Sequence, residues 1–504
     1  MSMLVFRHLE KIPAAQIPVV PVDSFRSSVL GAVAEGCRIV AFHGTPLPAD
    51  AVRLVAIVAD DSAGELRAVA ADPGESYPAL TPDCPQAGGF EREIAEQWGV
   101  KPVGHPWLKP LRFHRSCRPG RDAWGRTEQA APAPSVMDFF RVGGEGIHEV
   151  AVGPVHAGII EPGHFRFQCH GEQVLHLEIS LGYQHRGIER ALTGGPHPRT
   201  IHHMETLAGD TTIGHSLAYV HALETLAGCR VPARAQALRA VALELERLAN
   251  HTGDLGALAG DIGFLPTSSF CGRLRGDFLN MTALLCGSRF GRGFVRPGGT
   301  AFDVDAALLA ELRQRLDAAF RDVAGAVNLL WETASVMSRF ENTGALSMET
   351  AIELGLVGPA ARACGSEIDI RRDFPSGIYR FAQLPLSAFD SGDVFARAYV
   401  RWLEIQRSVE FIRGQLASLP GGAVRASCGP LAPGSSVVSL QEGWRGEIAH
   451  VATTDAEGRF ARYKVVDPSF HNWMGLALAL RNQEISDFPL CNKSFNLSYC
   501  GHDL

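Results

Sequence analysis

Three long stretches of the chain repeat apolar residues at helical spacing, and they limit what it can fold into. In PARAQALRAVALELERLANHT, residues 232–252, Leu238, Val241, Leu245 and Leu248 recur at three- and four-residue steps. That stripe covers one side of a helix and has to be buried against another element. Pro232 suits the first turn, where its missing N–H leaves no bond unmade. Residues 303–340 and 394–417 carry the same pattern. Helices of this kind pack as a bundle, and their stripes read as core rather than as ligand contacts.

The flanking regions have another character. Residues 1–115 read as an α/β unit. FRSSVLGAVAEG (25–36) has helical spacing, and CRIVAFHG, AVRLVAIVAD and ELRAVAAD are short Val-rich strands. FEREIAEQWGV (90–100) reads as a short helix with charges on one side, between proline-rich flanks that should be loops or extended edges. Residues 116–145, rich in Pro, Gly, Ala and Arg, read as a linker. Near the C-terminus, SSVVSLQEGWRGEIAHVATT and RFARYKVVD alternate as a hairpin or small sheet, and the helix HNWMGLALALRN follows. The last residues, SDFPLCNKSFNLSYCGHDL, show no strong period. The expected fold is therefore α+β: a small N-terminal α/β domain over 1–115, a linker over 116–145, and a large, mainly helical domain with small sheets over 146–504.

Composition removes some function classes. A net charge of −7 over 504 residues, with no basic run, argues against a nucleic-acid surface. No stretch reaches the roughly 18 apolar residues of a membrane span. Arg7, Glu10, Lys11 and Pro13 interrupt what would be the apolar core of a secretory signal. The eleven cysteines include no CxxC pair, and read as small buried apolar residues in a reducing compartment.

Candidate chemistry concentrates at 153–228, where ten of the nineteen histidines lie between His156 and His221. His156, Glu161 and His164 fall within nine residues, and His185, Arg186 and Glu189 follow on LGYQHRGIER. Such a cluster can relay protons, hold a metal, or grip an anionic or quinone-like ligand. The plainer reading is a polar network tying a strand pair to a helix, with Arg186 and Glu189 as an ion pair. A second constellation is QEGWRGEIAH (441–450), where Arg445 can project a guanidinium into a cavity. Its plainer reading is a hairpin turn with a solvated arginine. CGSEIDIRRDFPSG (364–377) is a loop signal, and the Gly- and Arg-rich 287–299 lacks the strand–turn–helix order of a phosphate cradle.

Five motifs in order carry a resemblance: EGIHEVAVGPVHAGIIEPGHFRF, LGYQHRGIER, FVRPGGTAFD (294–303), RFENTGALSMETAIELGLVGPAARACG (339–365) and EGWRGEIAH. They resemble the large subunit of membrane-bound, formate hydrogenlyase-type, energy-converting nickel–iron hydrogenases, and the related quinone-pocket subunit of respiratory complex I. Residues 77–113 resemble the smaller peripheral-arm subunit of complex I, fused to the large subunit as in formate hydrogenlyase-type proteins.

In the hydrogenases the resemblance implies a nickel–iron centre on four cysteines in two CxxC pairs. Those positions are Ala208, Thr211, Ser498 and Gly501 here, with Cys500 out of register. Soft thiolate ligands are thus absent, so no metal and no nickel–iron cofactor is expected in this chain. In complex I the vacated cavity takes quinone. The first pocket histidine matches His156, but the second falls at Ile160 and the headgroup tyrosine at Gly209. Glu161 and His164 match a segment near the hydrogenase proton route, Glu189 a carboxylate bordering the metal cavity, and Arg445 the arginine over the active site.

The resemblance thus implies a subunit of a membrane-associated redox complex, taking part in electron-transfer-coupled proton or ion translocation. His156, Glu161, His164, His185, Arg186, Glu189 and Arg445 would form its cavity and proton-relay shell. The alternative is a quinone-binding catalytic subunit of an NAD(P)H- or ferredoxin-linked oxidoreductase. Expected partners are a small iron–sulfur subunit and a ferredoxin-like subunit carrying the clusters, and membrane antiporter-like subunits. The expected place is peripheral, on the cytoplasmic face of the inner membrane.

Overall fold

The stripe at 232–252 lies on a helix that outruns its apolar repeat, Ala233–Asp261. Pro232 stands just ahead of it as its N-cap. Described here from a computed structural model covering residues 3–126, 132–157 and 160–504, this helix is the axis of the larger part of the molecule. The helices Leu265–Cys286 and Val394–Ala417 pack along it, and Ala306–Trp331 closes the bundle. Leu238, Val241, Leu245 and Leu248 are all buried in the common core. The 303–340 pattern is two helices, Ala306–Trp331 and Ala334–Phe340, with Asp305 capping the first through Leu308 N–H at 2.8 Å.

Leu265–Cys286 has no clear apolar stripe, because LPTSSFCGRLRGD reads as loop by composition. Packing makes it helical. It crosses the axis helix at Gly253, Gly256 and Gly260, and a Cβ on Gly256 would meet the Cβ of Cys271 at 2.7 Å. Only a bare backbone permits that approach.

The C-terminal strands Ser435–Gly443, Gly446–Thr454 and Phe460–Val466 form an antiparallel sheet beside the helix Thr212–Ala227. Its fourth strand, Ile12–Pro13, comes from the other end of the chain. The N-terminal sheet, in the order Leu4–Phe6, Glu65–Ala71, Val52–Asp60, Arg38–Pro46, is antiparallel throughout. Arg38–Pro46, Val52–Asp60 and Glu65–Ala71 follow one another as hairpins and Leu4–Phe6 joins antiparallel at the far edge, without the parallel crossovers that an α/β unit implies. The helix Val22–Ala34 packs on it. The core of this region runs on into the C-terminal sheet: Phe42, Ile57 and Val69 share one cluster with Val438, Leu440, Val451 and Val466.

The helix Gly88–Trp98 corrects one expectation. Glu91, Arg92, Glu93 and Glu96 do not form a solvated side; all four are buried. Residues 116–126 dock onto the N-terminal region through Arg118, which donates to Trp98 O at 2.9 Å and to Asp50. Residues 132–145 form no helix or strand. A third antiparallel sheet, Ile147–Val152, His164–His170 and Gln173–Ser180, leads into the short helix Ile188–Leu192. The last residues hold two short helices, Phe488–Phe495 and Tyr499–Asp503.

Candidate functional site

The fold brings Gly209 and Asp210 together with Ser498, Tyr499 and Cys500, remote in sequence, on the wall of one cavity of about 520 Å³. Glu161, Asp210, Asp254, Arg445, Lys493 and Cys500 are among its lining residues. Arg445 reaches it from the two-residue tip of the hairpin Ser435–Gly443 and Gly446–Thr454. That tip seats against Gly358, whose Cα would stand 2.8 Å from a Cβ on Gly446.

Arg445 is buried, so the solvated-turn reading does not hold. Its guanidinium meets Asp210 in a two-pronged pair at 2.6 and 2.7 Å, and its Nε donates to Asn496 O at 2.5 Å. The group lies 3.9 Å over the ring of Trp444, whose indole N–H donates to Thr211 Oγ1 at 3.1 Å. Burial opposes the arginine's charge, but Asp210 outweighs that and raises its pKa further. Burial would also push Asp210 up, but Arg445 holds it below the usual carboxylate range.

The positions that the resemblance assigns to metal ligands are engaged in other ways. Ala208 is fully buried. The Thr211 hydroxyl donates to Asp210 at 3.1 Å. Ser498 caps the last helix through Gly501 N–H at 2.9 Å. A Cβ on Gly501 would stand 2.6 Å from the carboxylate of Asp467. Among the described residues no group of three or more His, Cys, Asp or Glu is placed to hold a metal ion.

Asp467 begins a buried chain. His215 Nε2 lies 2.9 Å from Asp467 Oδ2, His215 Nδ1 is 3.2 Å from His450 Nε2, and His450 Nδ1 is 2.9 Å from the Tyr463 hydroxyl. With neutral rings one assignment satisfies every contact. Tyr463 donates to His450, His450 to His215, and His215 to Asp467. Burial, reinforced by His215, puts the His450 pKa well below the usual histidine range. Burial would raise Asp467, but the His215 hydrogen bond and Arg445 hold it low. Nearby, Glu246 accepts the N–H groups of Ile213 and Gly214 at 2.7 and 3.1 Å. Burial, with the charge of Asp210 adding to it, pushes Glu246 up to about 8 against those two donors.

The seven residues singled out from sequence do not form one shell. Glu161 and Arg445 share the cavity. Arg186 backs its wall by donating to Thr206 O, Leu207 O and Cys500 O. His156 donates to Gly163 O at 2.8 Å, and His164 stands 3.3 Å from Gly153 O and accepts from Arg166 at 3.1 Å. His185 donates to Asp503 O at 2.8 Å and stacks on His114, and burial lowers its pKa to about 4. Glu189 is not the partner of Arg186. It accepts from Arg462 at 2.8 Å and Lys464 at 3.0 Å, and Lys464 ties it to Glu93 of the helix Gly88–Trp98. Residues 158 and 159 lie outside the described residues.

Sequence reasoning did not single out Asp210, His215, His450, Tyr463 or Asp467. Asp210 in AGDTT reads as a turn residue and Asp467 before Pro468 as a helix cap, which it also is, through Ser469 N–H. His450 was visible as the last residue of QEGWRGEIAH; alternation along that strand places it on the same face as Ile448.

Residues 261–432 match the family described as respiratory-chain NADH dehydrogenase, 49 Kd subunit. The chain is 30% identical over 440 residues to formate hydrogenlyase subunit 5 of Escherichia coli K12, covering 84% of this chain and 76% of that protein. It is 31% identical over 353 residues to the carbon monoxide-induced hydrogenase of Rhodospirillum rubrum, 69% of this chain and 97% of that one. To an NADH-quinone oxidoreductase subunit from Dehalococcoides mccartyi it is 30% identical over 341 residues, 67% and 92% of the two.

Proposed function

The chain belongs to the family that joins the large subunits of hydrogenase-4 and formate hydrogenlyase type to the 49 kDa subunit of complex I, and we propose that it is a redox-complex subunit of this kind that carries no nickel–iron centre. Its part is to relay protons in a complex whose iron–sulfur subunits carry the electrons and whose membrane subunits move the ion. No helix among the described residues is long and apolar enough to cross a membrane, which suits a peripheral place on the cytoplasmic side. The small iron–sulfur, ferredoxin-like and antiporter-like partners are part of this proposal.

One observation carries it. The cavity's arginine is neutralised by Asp210, and Asp467 leaves no room for a side chain at 501. Ala, Thr, Ser and Gly cannot supply the thiolates that nickel and iron require. What the chain supplies instead is proton chemistry: Asp467 is a buried carboxylate at one end of a hydrogen-bonded His–His–Tyr chain. Metal analysis of the purified complex tests the first half; stoichiometric nickel bound to this chain would overturn it. Tyr463→Phe tests the second. It keeps the ring and removes the first donor, and it should cut proton-coupled turnover of the complex by about tenfold or more with the melting temperature little changed. Full turnover in that variant would remove the relay.

The cavity's size, about 520 Å³, falls within the range of small-molecule sites, which keeps a quinone-type ligand as the second reading. Ile160 and Gly209 stand on its wall without a side-chain donor, so such a ligand would use other donors there, among them Arg275, Asn492 and Lys493. Absence of binding at saturating quinone analogue removes this reading and leaves the first intact.

A further inference from the structure

Two cysteines distant in sequence meet at the surface, away from the cavity just described. Cys229 follows Gly228, the left-handed residue that ends the helix Thr212–Ala227, and its N–H closes the helix on Glu224 O at 2.8 Å. Cys428 lies on the stretch between Val394–Ala417 and the C-terminal sheet. That stretch is anchored on both sides of it: Ala426 N–H donates to Gly298 O at 2.9 Å and Ala432 N–H to Leu226 O at 3.0 Å. There the Cys229 thiol lies 3.7 Å from the carbonyl oxygen of Ser427, the residue just before Cys428. Both cysteines are partly exposed, while Gly228, Arg230, Ser427 and Gly429 around them are exposed. Six of the other nine are buried.

We propose that Cys229 and Cys428 are a reversible redox pair, closed to a disulfide by low-molecular-weight disulfides of the glutathione class. The Cys229 thiolate attacks one sulfur of the oxidant, forming a mixed disulfide and expelling one thiolate. Cys428 then gives up its proton and attacks the Cys229 sulfur, and the second oxidant thiolate leaves. In sum, two protein thiols and one small disulfide become one protein disulfide and two small thiols, so electrons and protons balance. Of the two, Cys229 is the attacking thiol. Burial and the neighbouring Cys229 thiol push Cys428 up to about 12, so it keeps its proton until the second step.

The position gives the bond a consequence. Cys428 lines a second, surface cavity of about 610 Å³ together with His197, His202, Tyr219 and Arg296. Tyr219 stands 6.2 Å, ring centre to ring centre, from Tyr463. Oxidation would therefore fix the rim of the cavity that lies beside the outer end of the His–His–Tyr chain.

The test uses the full chain in buffers of graded reduced and oxidised glutathione, followed by alkylation and peptide mass mapping. The expected result is a linked peptide pair joining Cys229 to Cys428, lighter by two hydrogens, that disappears on reduction, with the buried cysteines recovered as free thiols. In Cys229→Ser and Cys428→Ser the linked pair is absent and the remaining thiol carries a glutathione adduct. Both thiols alkylated at every ratio, or separate adducts on both without a link, would overturn the proposal.

Discussion

At the scale of the residue, the pair Arg445–Asp210 decides how the cavity behaves. A buried guanidinium that loses its carboxylate keeps its desolvation cost and gains nothing in return. About a third of the Asp210 side chain is open to the cavity, so water recovers part of that cost. Asp210→Ala should destabilise the protein by about 2–3 kcal/mol, and Arg445→Ala by a similar amount. The double variant should lose less than the sum, and equality with the sum in urea unfolding would show that the two do not interact. Glu246 gives a pH dependence whose sign is fixed. Its folded pKa, about 8, lies above the unfolded carboxylate value, so between about 4.5 and 8 the folded state holds the extra proton. Stability should fall across that window as pH rises, and level off above it. Glu246→Gln should flatten this part of the profile. At this scale Arg445 was legible only through the resemblance, because an arginine at a hairpin tip by itself reads as solvated. Asp210 and Asp467 were not, because a short acidic residue beside Thr or Pro has ordinary local work as a turn or a cap.

At the scale of the element, periodicity told which segments are helical but not what surrounds them. The helix Val394–Ala417 fell where its stripe placed it. Ala233–Asp261 has a second stripe that composition presents as its solvent side. Glu244, Arg247 and His251 are fully buried, and they share one charge network with Arg362, Arg371, Glu404 and Glu442 from four other elements. A charge row reads as solvated unless its partners are known, and these partners lie more than a hundred residues away. Leu265–Cys286 escaped notice for the opposite reason, since its helicity comes from the contact at Gly256 and not from its own pattern. Gly256→Val should force the two helices apart and lower stability by about 1–3 kcal/mol. A melting temperature equal to that of the parent would show that the crossing has slack.

At the scale of the whole molecule, composition suggested a small N-terminal unit, a linker and a large unit. The structure shows residues 3–115 packed into the rest through a strand, a core and a charge cluster. Ile12–Pro13 extends the C-terminal sheet, Val438 and Leu440 finish the N-terminal core, and Glu93 completes the network of Lys464 and Glu189. These contacts join residues hundreds of positions apart, which no local pattern announces. Unfolding followed by tryptophan fluorescence and by circular dichroism should therefore give one coincident transition. Two separated transitions, the first confined to the N-terminal region, would mean that the shared core contributes little.

The buried chain from Tyr463 to Asp467 has a consequence of its own. Each imidazole holds one proton on one nitrogen and offers the other to its neighbour, so one shift along the chain reverses every bond in it. After that shift the rings face the wrong way for a second proton. They can be reset by the same proton coming back, or by turning over in a core where neither His215 nor His450 is exposed to solvent at all. A relay built this way passes one proton and then waits, and the count of protons that pass would follow the slow beat of whatever resets it.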